Sequence, residues 1–512
     1  MKMRSLKTYL LLASVVLLGA CEPEFENAVT DEGFYTSGDA DLSTFVAVGN
    51  SLTAGYADGA LYITGQENSF PNIMAGQFEK AGGGEFTQPL VDDNLGGLLL
   101  SGTQIAANRF VLSVDQNGKP GPTRLEGTPT TDAANQLASP FGNMGIPGAK
   151  SYHLVAPGYG SLAGAAQGLA NPYFARIATS ETATVAGDAA SLAPSFFALW
   201  IGNNDILSYA TSGGSGVDQT GNFDPSTYGP NDITDPNVFA QVYSQTVDAM
   251  TSSATGGVLF NIADVTSIPF FTTVPVQSIP LDAATAAFVN SQFALYNTQV
   301  LPGLVQFGVI TAEEAAARVV NFQEGINFPT MSDDDLTDIS TILQGPPFNL
   351  DPERAALLGT LRQANENDLV VLTASSVLGS EAVPGDPSSV IGVGVPLADE
   401  FVLTAVEQDR VAAANAAYNA TIQAVADANG LAFVDARSSL AQVASVGVPY
   451  EGGVLTSEFV TGGGFSLDGV HPTARGYAYV ANLAIDAIND TYNATIPKVL
   501  IGNYPTITAA NN

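Results

Sequence analysis

Cysteine and histidine are almost missing from this chain of 512 residues: Cys21 is its only cysteine, and His153 and His471 are its only histidines. A single cysteine excludes an intrachain disulfide framework and any multi-cysteine metal centre. Two histidines leave little for a histidine-based one. Basic residues are scarce as well, 16 lysines and arginines against 50 acidic residues, for a formal charge of -34. No basic stripe interrupts that acidity, which disfavours nucleic acid as a partner because like charges repel a phosphate backbone. Charged residues of either sign make up only 13% of the chain while 46% are hydrophobic. That balance disfavours wholesale disorder and predicts a large core, in two or three domains or in one domain with long insertions.

The amino terminus reads as an address. Lys2, Arg4 and Lys7 precede the apolar run Leu10 to Leu18, followed by small residues and Cys21, the order of a signal peptide over residues 1–20. The run is too short to span a bilayer, which takes about 20 apolar residues. Leu18-Gly19-Ala20-Cys21 resembles a bacterial lipoprotein lipobox, and the lone cysteine of the chain sits at its end. The resemblance implies cleavage before Cys21 and acylation of that residue, and several acyl chains hold a protein stably on a membrane. Glu22, Glu24 and Glu26 begin an acidic tether, residues 21–40, similar to the surface-export signals of Bacteroidetes lipoproteins. The implied location is the cell envelope, on the periplasmic or surface face of the outer membrane. Cleavage removes three basic residues and no acidic one, taking the charge from -34 to -37.

Beyond the tether, continuous apolar runs stop abruptly at polar residues. Thr44 to Gly49 ends at Asn50-Ser51, and similar runs follow at Phe196 to Ile201, Val258 to Ile262, Leu369 to Leu372 and Leu431 to Val434. Each is expected to be a strand buried on both faces, as in a parallel sheet. A helix is predicted from Thr404 to Ala428, with Thr404 and Glu407 in capping-box spacing, Gly430 beyond its end, and Val411, Ala414, Tyr418, Ile422 and Val425 as its buried stripe. A second runs from Thr473 to Asn489 with Tyr477, Ala481, Ala484 and Ile488 inward. Strands alternating with such helices predict an open, mostly parallel α/β sheet, whose sites lie just outside the carboxyl ends of the strands.

Two stretches exceed a minimal unit of this kind. Arg109 to Leu125 alternates about an Asn117-Gly118 turn and predicts a β-hairpin insertion. Residues 276–365 carry three helix starts, at Asp282, at Thr311 with Glu314, and at Asp351-Pro352-Glu353, and predict a helical insertion, with a cap over the site as one use. Asp333-Asp334-Asp335 lacks the alternation and central glycine of a calcium loop and reads as a helix amino terminus. The expected organisation is a core of 41–275 and 366–500 around that insert, ending in a tail of 501–512.

Serine chemistry needs a nucleophile, a histidine base, an acid that orients it and donors for the oxyanion. Residues for all four stand at strand ends or in following loops. Ser51 lies in G-N-S-L-T-A-G, Gly148 in N-M-G-I-P-G, Asn204 in G-N-N-D, and Asp468 with His471 in D-G-V-H-P. Asp468 precedes His471 by three residues in one loop, near enough to fix its tautomer. Each segment alone is weak, a G-N-S-L turn being more often a plain loop.

In this order the four segments resemble the conserved blocks of the SGNH (GDSL-type) serine hydrolase superfamily. The resemblance implies a three-layer α/β/α, flavodoxin-like fold. It implies Ser51 as nucleophile, His471 as base and Asp468 as its orienting acid. The oxyanion donors are then the backbone N–H groups of Ser51 and Gly148 and the amide of Asn204. It implies an esterase or lipase that works through an acyl-enzyme with no metal or cofactor. Asn50 stands where the family usually has Asp and is expected to keep the turn through side-chain to backbone bonds. Phe270, Phe271, Phe288, Phe293 and Leu295, in or just before the helical insert, are compatible with an acyl pocket and equally with an ordinary helical core, and lipid esters are only slightly favoured over short-chain or carbohydrate esters. A carbohydrate O-acetylesterase on the same fold and a non-catalytic surface-binding lipoprotein are the alternatives. His153 and Trp200 are read as structural.

Overall fold

A computed structural model describes residues 34–114, 118–138 and 140–510. The signal peptide, Cys21 and the first part of the tether lie outside the described residues. The central sheet has five strands, all parallel: β1 (Phe45–Gly49), β2 (Asn143–Gly145), β3 (Phe196–Trp200), β4 (Gly256–Phe260) and β5 (Ala432–Val434). Their order across the sheet is β2-β1-β3-β4-β5. The residues of β1, β3 and β4 are buried throughout, which is why these strands read as unbroken apolar runs.

Side-chain alternation along the strands separates two layers of helix. Val46, Val48, Phe197 and Leu199 pack with helices Val185–Ser191 and Pro236–Thr251 on one face. Phe45, Ala47, Phe196 and Ala198 pack with helix Phe70–Phe78 on the other. Five further helices position the site: α1 (Ser51–Ala54), α2 (Asn204–Thr211), α3 (Ala405–Asn429), α4 (Ala436–Ser445) and α5 (Ala474–Tyr492). Helix α3 has the predicted capping box of Thr404 and Glu407 and ends at Gly430 in the left-handed region. It buries Val411, Ala414, Tyr418 and Ile422 against the first face. Helix α5 buries Tyr477, Ala481, Ala484 and Ile488 against the second. The result is a sheet between two helical layers, as the strand and helix alternation predicts.

Several expectations are corrected. Leu369–Val370 is not a central strand; it pairs antiparallel with Val402–Leu403 in a separate two-stranded sheet. An apolar run of four residues fits either setting, because periodicity does not distinguish them. Strand β2 is missing from the sequence reading, since N-M-G is too short and polar to stand out. Asp333 to Asp335 is not a helix start but follows a short strand, with Asp333 paired to Arg362 and Asp335 to Arg410. The carboxylates there answer two guanidinium groups and no helix dipole.

The hairpin is present as Phe110–Val114 paired with Pro120–Arg124, and Asn117 of its turn lies outside the described residues. All three helix starts between 276 and 365 are present, each capped by its Asp or Thr. That region gathers a hydrophobic cluster of its own, built on residues such as Phe293, Leu304 and Leu343, which extends to Val393 and so past the expected limit at 365. Among the described residues no helix is long and apolar enough to cross a membrane.

Helix α1 lies directly on β2. A Cβ added to Gly145 would sit 2.3 Å from the Ala54 nitrogen, so only glycine admits the helix that begins at Ser51. Gly145→Ala is expected to cost about 1–3 kcal/mol through overpacking and to lower the thermal unfolding midpoint. An unchanged midpoint in a calorimetric scan would show that α1 does not depend on this approach.

Candidate active site

The connections of the sheet place the site before any side chain is considered. The chain passes from β1 to β2 at one edge, then returns across β1 to β3 and continues the other way. The strand order therefore reverses between β1 and β3, and α/β sheets open a crevice at the carboxyl ends of such a pair. Ser51 follows β1, Asn203 and Asn204 follow β3, and Gly148 follows β2 on the other side. Neighbouring strands lie about 4.8 Å apart, so all three segments meet at one end of the sheet.

Ser51 is the first residue of α1. Asn50 caps that helix, its Oδ1 accepting the Leu52 N–H at 3.0 Å while its amide donates to Asn203 Oδ1 at 3.4 Å. The side-chain to backbone bond expected of Asn50 is thus present. A charged carboxylate in its place could not donate to Asn203. The Ser51 hydroxyl stands 2.9 Å from His471 Nε2, and His471 Nδ1 stands 2.9 Å from Asp468 Oδ2. With the ring proton on Nδ1 held by the carboxylate, Nε2 is free to accept from the serine.

Asp468 is held unusually firmly. It accepts the backbone N–H groups of Gly59, Val470 and His471, the Ser466 hydroxyl and the His471 ring N–H. Burial pushes its pKa up, but the His471 charge and the hydrogen bonds from His471 and Val470 outweigh it and hold the carboxyl down to about 2. The loop carrying it is bound to the segment after α1. Asp58 donates its N–H to Ser466 Oγ at 2.9 Å, and its carboxylate accepts Leu467 N–H at 3.0 Å and the Tyr62 hydroxyl at 2.8 Å. Arg124 of the hairpin donates to the carbonyls of Gly59 and Asn108, so the hairpin braces that segment. The Tyr56 ring lies 4.7 Å from the His471 ring. Tyr56, Asp58, Gly59 and Ser466 are absent from the sequence reading, because their roles come from contacts across more than 400 residues.

The loop after β2 is fixed to the start of α2. Buried Asp205 accepts the N–H and hydroxyl of Ser151 at 2.8 and 2.6 Å, and Lys150 donates to the Asp232 carbonyl at 2.7 Å. Asn204 Nδ2 donates to the Ala149 carbonyl at 2.9 Å, leaving its second hydrogen unused. Gly148 has φ of +80°, the left-handed region that favours glycine. Among the described residues neither the Gly148 nor the Ser51 N–H has an acceptor. Two backbone N–H groups and one amide hydrogen are thus unspent at the ends of three adjacent strands, an arrangement able to receive an anionic oxygen.

A cavity of about 120 Å³ opens beside Ser51, lined by Ser51, Asn204 and His471 at one end and mainly by apolar side chains elsewhere. Trp200 is core, as expected, with its ring stacked on Phe260 at 5.0 Å, but it also lines the cavity. Residues 276–365 contribute nothing to the wall, so that region is not its cap. Phe288 and Leu295 are exposed, Phe293 is buried in the separate cluster, and Phe270 and Phe271 are in the main core. His153 is structural. It stacks on Tyr159 at 4.2 Å, its Nδ1 accepts the Lys150 N–H, and burial with the nearby Lys150 charge holds its pKa down to about 3. Among the described residues no group of three or more His, Cys, Asp or Glu side chains is placed to hold a metal.

The depressed pKa of Asp468 has a stability consequence. Its unfolded value is 3.8 and its folded value about 2, so the stabilisation is complete above pH 4 and is lost as pH falls through the folded value. Asp468→Asn is therefore expected to melt below the parent protein at pH 5 to 7, with the gap closing toward pH 2. A gap independent of pH in thermal scans would contradict the assignment. No family model, curated protein or solved structure matches the chain.

Proposed function

We propose that this chain is a serine hydrolase of carboxylic esters of the SGNH type, working through an acyl-enzyme on Ser51. The observation that carries the proposal is the continuous relay from Ser51 Oγ to His471 Nε2 and from His471 Nδ1 to Asp468, both contacts at 2.9 Å. It stands at the strand-order reversal of a parallel sheet, where open α/β folds bind ligands. On this reading the four blocks of the superfamily each supply the group that their sequence resemblance implies. Cys21 serves as the lipid anchor to the outer membrane.

The geometry supports the following steps. As Ser51 Oγ attacks the ester carbonyl, its proton passes to His471 Nε2. Asp468 stabilises the resulting imidazolium and keeps the ring oriented without taking the proton. The carbonyl oxygen, now anionic, is received by the N–H groups of Ser51 and Gly148 and the Asn204 amide. Collapse of the tetrahedral intermediate breaks the ester bond, and His471 returns the proton to the departing alcohol. Water then enters, loses its proton to His471 and attacks the acyl carbonyl. The acid is released and the serine proton restored.

Folded protein is expected to take one fluorophosphonate adduct, on Ser51, and to hydrolyse p-nitrophenyl acetate. Ser51→Ala should lose both, and Asn204→Ala should lower kcat about 100- to 1,000-fold. Asp468→Asn should lower it by about four orders of magnitude, because the histidine then takes the wrong tautomer. Undiminished hydrolysis by Ser51→Ala, or no adduct on the folded parent, would overturn the proposal and favour a non-catalytic binding role.

A further inference from the structure

The cavity beside Ser51 is more than bond cleavage requires, and its walls describe what the ester carries. Along one side it follows a single face of α5, with Gly476, Tyr479, Val480 and Leu483 on the wall. From Gly476 to Leu483 the helix rises about 10 Å, so the cavity is deep. Leu440, Val443 and Leu455 face it from α4 and the strand beyond. Away from the catalytic end, Ser439 and Tyr479 are the only side chains with hydroxyls on the wall among the described residues. A sugar would bury more hydroxyls than these can satisfy, and each one left unbonded opposes binding.

Volume bounds the length of the occupant. An apolar cavity of about 150 Å³ takes benzene, with its six carbons, so one of about 120 Å³ takes an aliphatic chain of similar size. Tyr479 and Leu483 also line a second, larger groove of about 370 Å³ together with Val448, Tyr450 and Leu500. These two half-buried side chains are therefore the partition between the cavity and that groove.

We propose that the cavity is the acyl site for a medium-chain ester of about six acyl carbons, and that Tyr479 and Leu483 set where it ends. The inference rests on the serine-hydrolase reading. The chain belongs to the acyl side because the alcohol must leave and be replaced by water beside His471. An apolar pocket would hinder that exchange, whereas the acyl group stays on Ser51 until the end.

The test is kcat/KM on p-nitrophenyl esters from acetyl to hexadecanoyl. The parent should gain about fourfold per methylene, equivalent to about 0.8 kcal/mol, up to around six carbons, and then decline. Leu483→Ala should move the maximum to about ten carbons by opening the partition, and Leu483→Trp should lower the hexanoyl-to-acetyl ratio at least tenfold. A flat or acetyl-best profile, or one common maximum in all three proteins, overturns the acyl site, while fluorophosphonate labelling of Ser51 in the same samples shows that the hydrolase reading survives. A steeper dependence on chain length among n-alkyl acetates than among the acyl esters overturns the acyl assignment. If Ser51 takes no label and no ester is cleaved, the hydrolase reading has failed. The site is then judged by calorimetry with hexanoate, where binding to the parent that Leu483→Trp weakens at least tenfold upholds an aliphatic-chain site, and absent or equal binding overturns it.

Discussion

The Asp468 carboxylate joins the loop that carries His471 to the segment that follows Ser51. Its donors come from its own loop and from Gly59, which is 409 residues away in the chain. Asp58, beside Gly59, completes the junction through Ser466 and Leu467. An ionised carboxylate with its acceptor capacity filled is strongly oriented. The His471 ring inherits that orientation through Nδ1, and Ser51 inherits it through Nε2. Loss of the charge would release the ring and leave the two loops held through Asp58, so stability and the proposed chemistry share this group.

The sheet supplies the other half of the geometry. Strand β1 lies between β2 and β3, and each of the three ends in a segment that contributes a polar group. Gly145 lets α1 lie on β2, and Asn204 and Asp205 hold the loop after β2 against α2. Donors for an oxyanion must be in place before the charge develops, because reorganisation at the moment of reaction would forfeit most of the benefit. In the proposed mechanism that is the part of the buried Asp205 to Ser151 bonds and the Lys150 to Asp232 bond, none of whose residues lines the cavity. The same layers shape much of the cavity, whose wall includes α4, α5 and the ends of β3, β4 and β5, and none of residues 276–365.

Much of this was legible in the linear chain, and the residues show why. Apolar runs reveal β1, β3, β4 and β5, and caps reveal α3, α5 and the helices that begin after Asp282, Thr311 and Asp351, because these signals are local. The Ser51, Asn204 and D-G-V-H segments were legible for a similar reason, each being a short motif at the end of a local element. Leu369–Val370 was misplaced and β2 overlooked, since a strand of two or three residues carries too little pattern to reveal its partner. The triple aspartate was misread because the arginines that answer it, Arg362 and Arg410, come from elsewhere in the chain.

What the sequence by itself determined is the inventory: an α/β chain with one cysteine at a lipobox-like site, and a serine, an asparagine, an aspartate and a histidine at the ends of elements. The tertiary structure alone brings these groups together, binds the aspartate from the segment after the serine as well, and lines the cavity beside them with mainly apolar side chains, Leu483 among them. It also decided that the aromatic residues around 270–295 do not build that cavity. The physical reason is range. Propensity, capping and periodicity act over a few residues, whereas a catalytic distance or a cavity wall is fixed by packing between elements hundreds of residues apart.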